Sequence, residues 1–151
     1  MTDNLISINN LSKKYIVGNN EISILKEIDF NLSKGEIISI CGPSGSGKST
    51  FLNILGLLDT FFDGKYTFLN QDTSLLSFNK KNFIRNKSIG FVHQFFHLIP
   101  ELNVLENVSL PSLIRNDNYK ISIDKAKNLI SNIGLENKID SNPLNLQEGT
   151  A

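Results

Sequence analysis

Between Glu36 and Leu58 the chain runs through a β-branched stretch, a glycine-rich turn and an amphipathic segment, and this succession restricts the possible folds more than any other feature. The turn, Gly42-Pro43-Ser44-Gly45-Ser46-Gly47-Lys48-Ser49, satisfies the template G-x-x-x-x-G-K-[ST], in which a strand delivers the chain to an anion and a helix carries it away. Glu36-Ile37-Ile38-Ser39-Ile40-Cys41 reads as a parallel strand covered on both faces. Lys48 to Leu58 reads as a helix with Phe51, Leu52, Ile54, Leu55 and Leu58 on its apolar face. Glycines at 42, 45 and 47 permit positive φ and a close approach of backbone to anion, so that successive N–H groups make a concave nest. The first helical turn, Lys48 through Ser49 and Thr50, adds its unpaired amides and the positive end of the helix dipole. Lys48 supplies an ammonium for the β- and γ-phosphates, and Ser49 a hydroxyl ligand for magnesium. These groups in this order predict a grip on a nucleoside triphosphate.

The chain has 151 residues, the size of one domain with a core of its own. Its 15 basic and 15 acidic residues cancel, which gives no electrostatic basis for nucleic acid as the main partner. The single cysteine, Cys41, excludes a disulfide within the chain and fits a reducing compartment; at the end of the expected buried strand it reads as a small apolar filler. No apolar run approaches membrane-spanning length, and Met1-Thr2-Asp3-Asn4 lacks the charged and apolar regions of a signal peptide. The expectation is a soluble, cytosolic polypeptide.

Leu5-Ile6-Ser7-Ile8 alternates as a strand does, and so do Ile22 to Leu25 and Ile28 to Leu32 after the turn Gly18-Asn19-Asn20. Ser33-Lys34-Gly35 then turns the chain into the buried strand, so an antiparallel β layer precedes the α/β core. Asp63-Gly64 predicts a turn, Lys65 to Leu69 a strand, Phe83 to Lys87 the end of a short helix, and Ser88 to Val92 a further strand. Beyond Gln94 the pattern becomes helical: Val104 to Val108 is one segment, and Ser122 is placed to cap another whose Ala126, Leu129, Ile130 and Ile133 line one face until Gly134.

Tyr15, the loop GPSGSGKST, Leu52 to Asp59 (LNILGLLD) and Ile89 to Pro111 (IGFVHQFFHLIPELNVLENVSLP) follow one another in an order that resembles the ATP-binding subunit of ABC transporters. The likeness is strongest to the branch serving lipoprotein release, macrolide export and some peptide or bacteriocin export, and it extends as far as Leu146. It implies an α/β fold: a P-loop NTPase core with an N-terminal antiparallel β layer and an inserted helical subdomain, incomplete at the C-terminus. The corresponding domains are a RecA-like nucleotide-binding core over residues 1–94 and a helical subdomain over 95–151.

By this resemblance Tyr15 stacks on the adenine ring of ATP, and the loop from Gly42, Pro43, Ser44, Gly45, Ser46 and Gly47 through Lys48, Ser49 and Thr50 holds its phosphates. Gln94 matches the Q-loop glutamine, which reaches the magnesium ion and the attacking water, provided that the strand register before it holds. His93 and His97 are read as packing or rim residues, since no partner carboxylate is visible for either. Phe95, Phe96, Leu98 and Ile99, with the segment Leu105 to Val108, match the zone that meets the transmembrane permease subunit in the family. The implied partners are that permease and a second ATP-binding subunit. The implied location is cytoplasmic, peripheral to the inner face of the cell membrane through the permease, and the implied cargo is lipid-linked or amphipathic.

The pattern then breaks. Where the family presents Leu-Ser-Gly-Gly-Gln/Glu, this sequence reads Leu146-Gln147-Glu148-Gly149-Thr150-Ala151. The aspartate that holds magnesium through water, the glutamate that polarises the attacking water and the switch histidine are not among the residues present. Loss of one T from CTT-TCA-GGA-GG would convert Leu-Ser-Gly-Gly into Leu-Gln-Glu-Gly, so a truncated or frameshifted form is expected, poorly soluble, binding ATP poorly by itself and hydrolysing it barely. A non-catalytic remnant, or a regulatory binding module that pairs with an intact subunit, is the alternative reading. A small-molecule kinase would need an arginine-rich lid, and Arg85 and Arg115 are the only arginines.

Overall fold

Alternation of Ile6 and Ile8 with polar residues makes one half-buried strand, which the computed structural model, describing residues 4–143, extends over Asn4–Val17 as β1. β1 pairs antiparallel with β2 (Asn20–Ser33) through the turn at Gly18, whose φ of 61° suits glycine. On its other side β1 pairs with β3 (Asp63–Phe68), which pairs with the short β4 (Gln71–Asp72), giving the antiparallel order β2-β1-β3-β4. Asp63 and Gly64 therefore lie within a strand and not in the expected turn.

An irregularity in β1 decides which side chains face inward. Ile6 and Ile8 are buried, then the register slips at Asn9 and Asn10, and the inward positions become Leu11 and Lys13. A β-bulge moves the alternation onto the other parity. Asn10 sits at φ 51°, and its amide donates to the Asp29 carboxylate at 2.7 Å, which compensates for the interrupted ladder. Gly64 runs beneath this bulge at φ 97°: a Cβ there would lie 2.7 Å from the Asn10 carbonyl carbon and 2.8 Å from the Asn9 oxygen. Only glycine lets β3 approach so closely.

Helix α1 (Lys48–Leu55) packs Phe51 and Ile54 against the sheet, joined by Leu57 just past its end. It is shorter than its apolar pattern predicts, because Gly56 closes it and Leu57 takes φ 57°; Leu52 and Leu58 remain about half exposed instead of on the buried face. Tyr66 on β3, 1% exposed, donates its hydroxyl to the Leu55 carbonyl at 2.7 Å and so ties the sheet to the end of this helix. Helix α2 (Phe78–Ser88), capped by Ser77, adds Ile84 to the same core, and Arg85 donates to the Leu57 carbonyl at 2.9 Å.

Two expected strands are not formed. Residues 36–41 have no ladder partner among the described residues: Ile37 is 95% exposed, and Cys41 is exposed instead of serving as a buried filler. The segment 88–92 is likewise unpaired, with Ser88 in α2 and Val92 fully exposed. A β-branched run is kept in a parallel strand by hydrogen-bonded neighbours on either side, and no described segment supplies them. Residues 38–43 instead border a cavity of about 540 Å³ whose other wall includes Leu25, Ile28, Phe30 and Phe51.

The chain divides into two units, one ending at Ile89 and one starting at Gly90. In the second, α3 (Val104–Ile114) begins with a capping box in which Asn103 and Glu106 each bond the other's backbone amide. α4 (Tyr119–Asn132) is capped by Asn118. Ser122, read as the cap, lies one turn inside: it is 1% exposed and its hydroxyl donates to the Asn118 carbonyl and the Ser112 hydroxyl. Ala126 and Ile130 are buried as expected, whereas Leu129 and Ile133 face solvent.

Candidate functional site

Gly47 is the N-cap of α1, in the left-handed region at φ 88°, and no side chain caps the helix. The first intrahelical bond runs from the Phe51 amide to the Gly47 carbonyl at 2.9 Å, so the amides of Lys48, Ser49 and Thr50 have no intrahelical acceptor. No acidic residue lies in the first turn to compete with an anion for them. Gly42 and Gly45 also have positive φ, at 157° and 79°. The loop closes with the Ser46 amide donating to the Pro43 carbonyl at 3.3 Å, and Lys48 lays its ammonium over the loop, 2.9 Å from the Gly42 carbonyl and 2.7 Å from that of Pro43. A cavity of about 390 Å³ is lined by Ser44, Gly45, Gly47, Lys48, Ser49, Thr50 and Ile24. The donors are amides, a cation and hydroxyls, with no carboxylate among them, which is the chemistry a polyphosphate requires.

β2 braces this loop. A Cβ on Gly47 would stand 2.8 Å from Leu25 Cδ2 and 3.1 Å from the Ile24 carbonyl oxygen, so strand and loop are in contact there. Tyr15 on β1 is cross-strand from Ile22, two residues before Ile24, which places the tyrosine on the same β ribbon that touches the loop. Tyr15 is 40% exposed, and its hydroxyl donates to Asp59 Oδ2 at 3.1 Å.

Asp59 also receives the ammonium of Lys13, at 2.9 Å on Oδ1 and 2.8 Å on Oδ2, and that ammonium lies 4.8 Å from the centre of the Tyr15 ring. Lys13 is 6% exposed and spends its remaining capacity on the Phe61 carbonyl. Burial alone would raise the Asp59 pKa; the Lys13 ammonium, the Phe61 amide and the Tyr15 hydroxyl outweigh it and hold the carboxyl below its ordinary value. Lys13 and Asp59 were not singled out from the sequence. The first of two adjacent lysines before the tyrosine, and an acid after an apolar helix, were the available signals.

Gln94 is exposed, in a bend of the second unit, and the strand whose register was to place it is not formed. Near it Phe91 stacks on His93 at 5.3 Å and His93 meets His97 edge-on at 4.8 Å, while Phe95 and Phe96 are 71% and 79% exposed. The altered signature segment, Leu144 onward, lies outside the described residues. Among the described residues no helix is long and apolar enough to cross a membrane.

The family profile described as "ABC transporter" matches residues 25–150. The lipoprotein-releasing system ATP-binding protein LolD of Pseudoalteromonas translucida is 40% identical over 149 residues, covering 99% of this chain and 64% of that protein. The LolD protein of Buchnera aphidicola is 42% identical, covering 99% and 65%. A dimeric structure of the ATP-binding cassette MJ0796 in a post-hydrolysis state with ADP and Pi superposes with a TM-score of 0.82 at 37% identity, over 92% of this chain and 62% of that one. The chain thus spans less than two thirds of the length of each of these relatives. Its fold is that of an ABC ATPase cassette, an α/β P-loop NTPase-like arrangement with an antiparallel sheet and helices. With the profile covering residues 25–150 and the glycine loop opening directly into helix α1, the chain belongs to the ABC transporter family.

Proposed function

We propose that the chain binds the phosphate tail of magnesium ATP and serves as an ATP-binding subunit of an exporter-type ABC transporter for a lipid-linked cargo. The observation that carries the reading is the uncapped, acid-free start of α1, where three positive-φ glycines precede amides without intrahelical acceptors and the Lys48 ammonium lies over the loop. Lys48 and the amides of residues 48–50 would hold the phosphates, the Ser49 hydroxyl would be a magnesium ligand, and Tyr15 would receive the base. Magnesium supplies charge neutralisation to the polyphosphate when bound. The chain's own part is to preorganise the first-turn amides of α1, which need no reorientation when the anion arrives, whereas the Lys48 ammonium exchanges its carbonyl partners for phosphate oxygens.

The likeness to LolD proteins supports lipoprotein release as the process served, with a permease and a second ATP-binding subunit as partners at the cytoplasmic face of the membrane. The exposed apolar residues Phe95, Phe96, Leu98 and Ile99 fit the permease-facing role. Titration of tripolyphosphate and of ATP, each with magnesium, into the chain and its Lys48→Ala variant tests the reading. The variant is expected to bind both at least about tenfold more weakly, since one charge-assisted contact is worth about 1.5–3 kcal/mol. Equal affinities in the two proteins would overturn it.

A further inference from the structure

The Lys13–Asp59 pair connects two elements that the proposed site needs in fixed relation. Asp59 belongs to the helix side: its amide donates to the Asn53 carbonyl at 3.1 Å, one turn after the phosphate loop passes into α1. Lys13 and Tyr15 belong to β1, and both are aimed at Asp59 because the bulge at Asn9 and Asn10 moves the inward set onto odd-numbered residues. The Tyr15 side chain is therefore fixed at three points: its backbone in the ladder, its hydroxyl on Asp59, and one ring face under the Lys13 ammonium at 4.8 Å. At 40% exposure it retains open surface.

A tyrosine on an exposed strand end would otherwise sample several rotamers, and each must be given up when a planar ligand settles on the ring. We propose that Asp59, held by Lys13, is a positioning residue that presets the Tyr15 ring as the base platform, so that the chain distinguishes a nucleotide from a bare polyphosphate through this anchored rotamer. The proposal rests on the reading of Tyr15 as the base-contacting residue and deepens it. Lys13 has a separate duty: buried, it pairs with Asp59 and so keeps the carboxylate ionised as the acceptor of the tyrosine hydroxyl.

The test compares ATP with tripolyphosphate, both with magnesium, by isothermal titration of the full chain and of Tyr15→Phe, Asp59→Asn and Tyr15→Ala. Tyr15→Phe deletes only the hydroxyl and leaves the Lys13–Asp59 pair whole, so it remains informative if Asp59→Asn does not fold. The expected result is a loss of about three- to tenfold in ATP affinity for Tyr15→Phe, with tripolyphosphate affinity unchanged. Asp59→Asn, where folded, loses the same preference, and Tyr15→Ala loses all of it. A melting temperature lowered by Asp59→Asn with the ATP preference intact in both it and Tyr15→Phe would overturn the positioning role alone. A preference that survives Tyr15→Ala would sink the base-platform reading and the proposal with it. Absence of binding of either ligand to the unaltered chain would remove the phosphate site itself, and the proposal with that site.

Discussion

Two glycines of the phosphate loop separate backbone conformation from packing, and substituting each by alanine measures the two costs. Gly45 and Gly47 both lie in the left-handed region, at φ 79° and 88°, where an L-residue pays about 1 kcal/mol. Alanine also restricts the unfolded chain, which returns about 0.4–1 kcal/mol. At Gly45 nothing lies within 4 Å of the added Cβ, so these terms nearly cancel and Gly45→Ala is expected to change stability by less than about 1 kcal/mol. At Gly47 the same Cβ would press on Leu25 Cδ2 at 2.8 Å and on the Ile24 carbonyl at 3.1 Å. Leu25 is 4% exposed in the core and Ile24 lies within β2 at a register irregularity, flanked by the paired Ser23 and Leu25, so the contact is relieved only by moving the strand or the core side chain. Overpacking of this kind adds about 1–3 kcal/mol, which makes Gly47→Ala the costlier change by about 2 kcal/mol. Urea unfolding followed by far-ultraviolet circular dichroism reads the difference. With a slope of about 1.5–2 kcal/mol per molar, Gly47→Ala lowers the midpoint by about 1 M relative to Gly45→Ala. Coincident midpoints would refute the claim that β2 braces the loop, and with it the account of how Tyr15 and the phosphates share one frame.

Tyr66→Phe removes the hydroxyl that meets the Leu55 carbonyl and is expected to cost about 1–2 kcal/mol in urea unfolding. Burial pushes the Tyr66 hydroxyl well above its ordinary pKa, so its stabilisation is whole below about pH 10 and declines above that as the unfolded state ionises; the unaltered protein loses more stability there than Tyr66→Phe does. Parallel alkaline profiles for the two would contradict this. In the second unit the Asn107 side chain accepts from the Ile99 amide and donates to the carbonyls of Ile99, Leu102 and Asn103. Asn107→Ala is therefore expected to accelerate amide exchange across residues 99–103 at least about tenfold, read by hydrogen-exchange mass spectrometry, with unchanged exchange as the refuting result.

The phosphate loop was legible because its chemistry is local. Glycine spacing, a lysine and a hydroxyl residue at the start of a helix shape the turn and the helix end without reference to the rest of the chain; the hairpin at Gly18 and the inward positions Ala126 and Ile130 were legible for the same local reason. Strand formation at 36–41 and 88–92 was not legible. The β-branched composition of those residues states only that they suit a sheet, and pairing depends on neighbours elsewhere in the chain that no described residue provides. The anchor of Tyr15 was hidden for another reason. Strict alternation from Ile6 and Ile8 puts Lys13 and Tyr15 on the opposite face; it takes the bulge at Asn10, the Asp29 carboxylate that satisfies it and a Cβ-free Gly64 beneath it to turn them toward Asp59, 44 residues beyond the tyrosine. Sequence by itself thus determined the glycine turn and the uncapped start of α1, because these lie in contiguous residues. Tertiary structure alone decided how the tyrosine is held, because that depends on a slip of register and on a carboxylate brought to the strand from the end of another element.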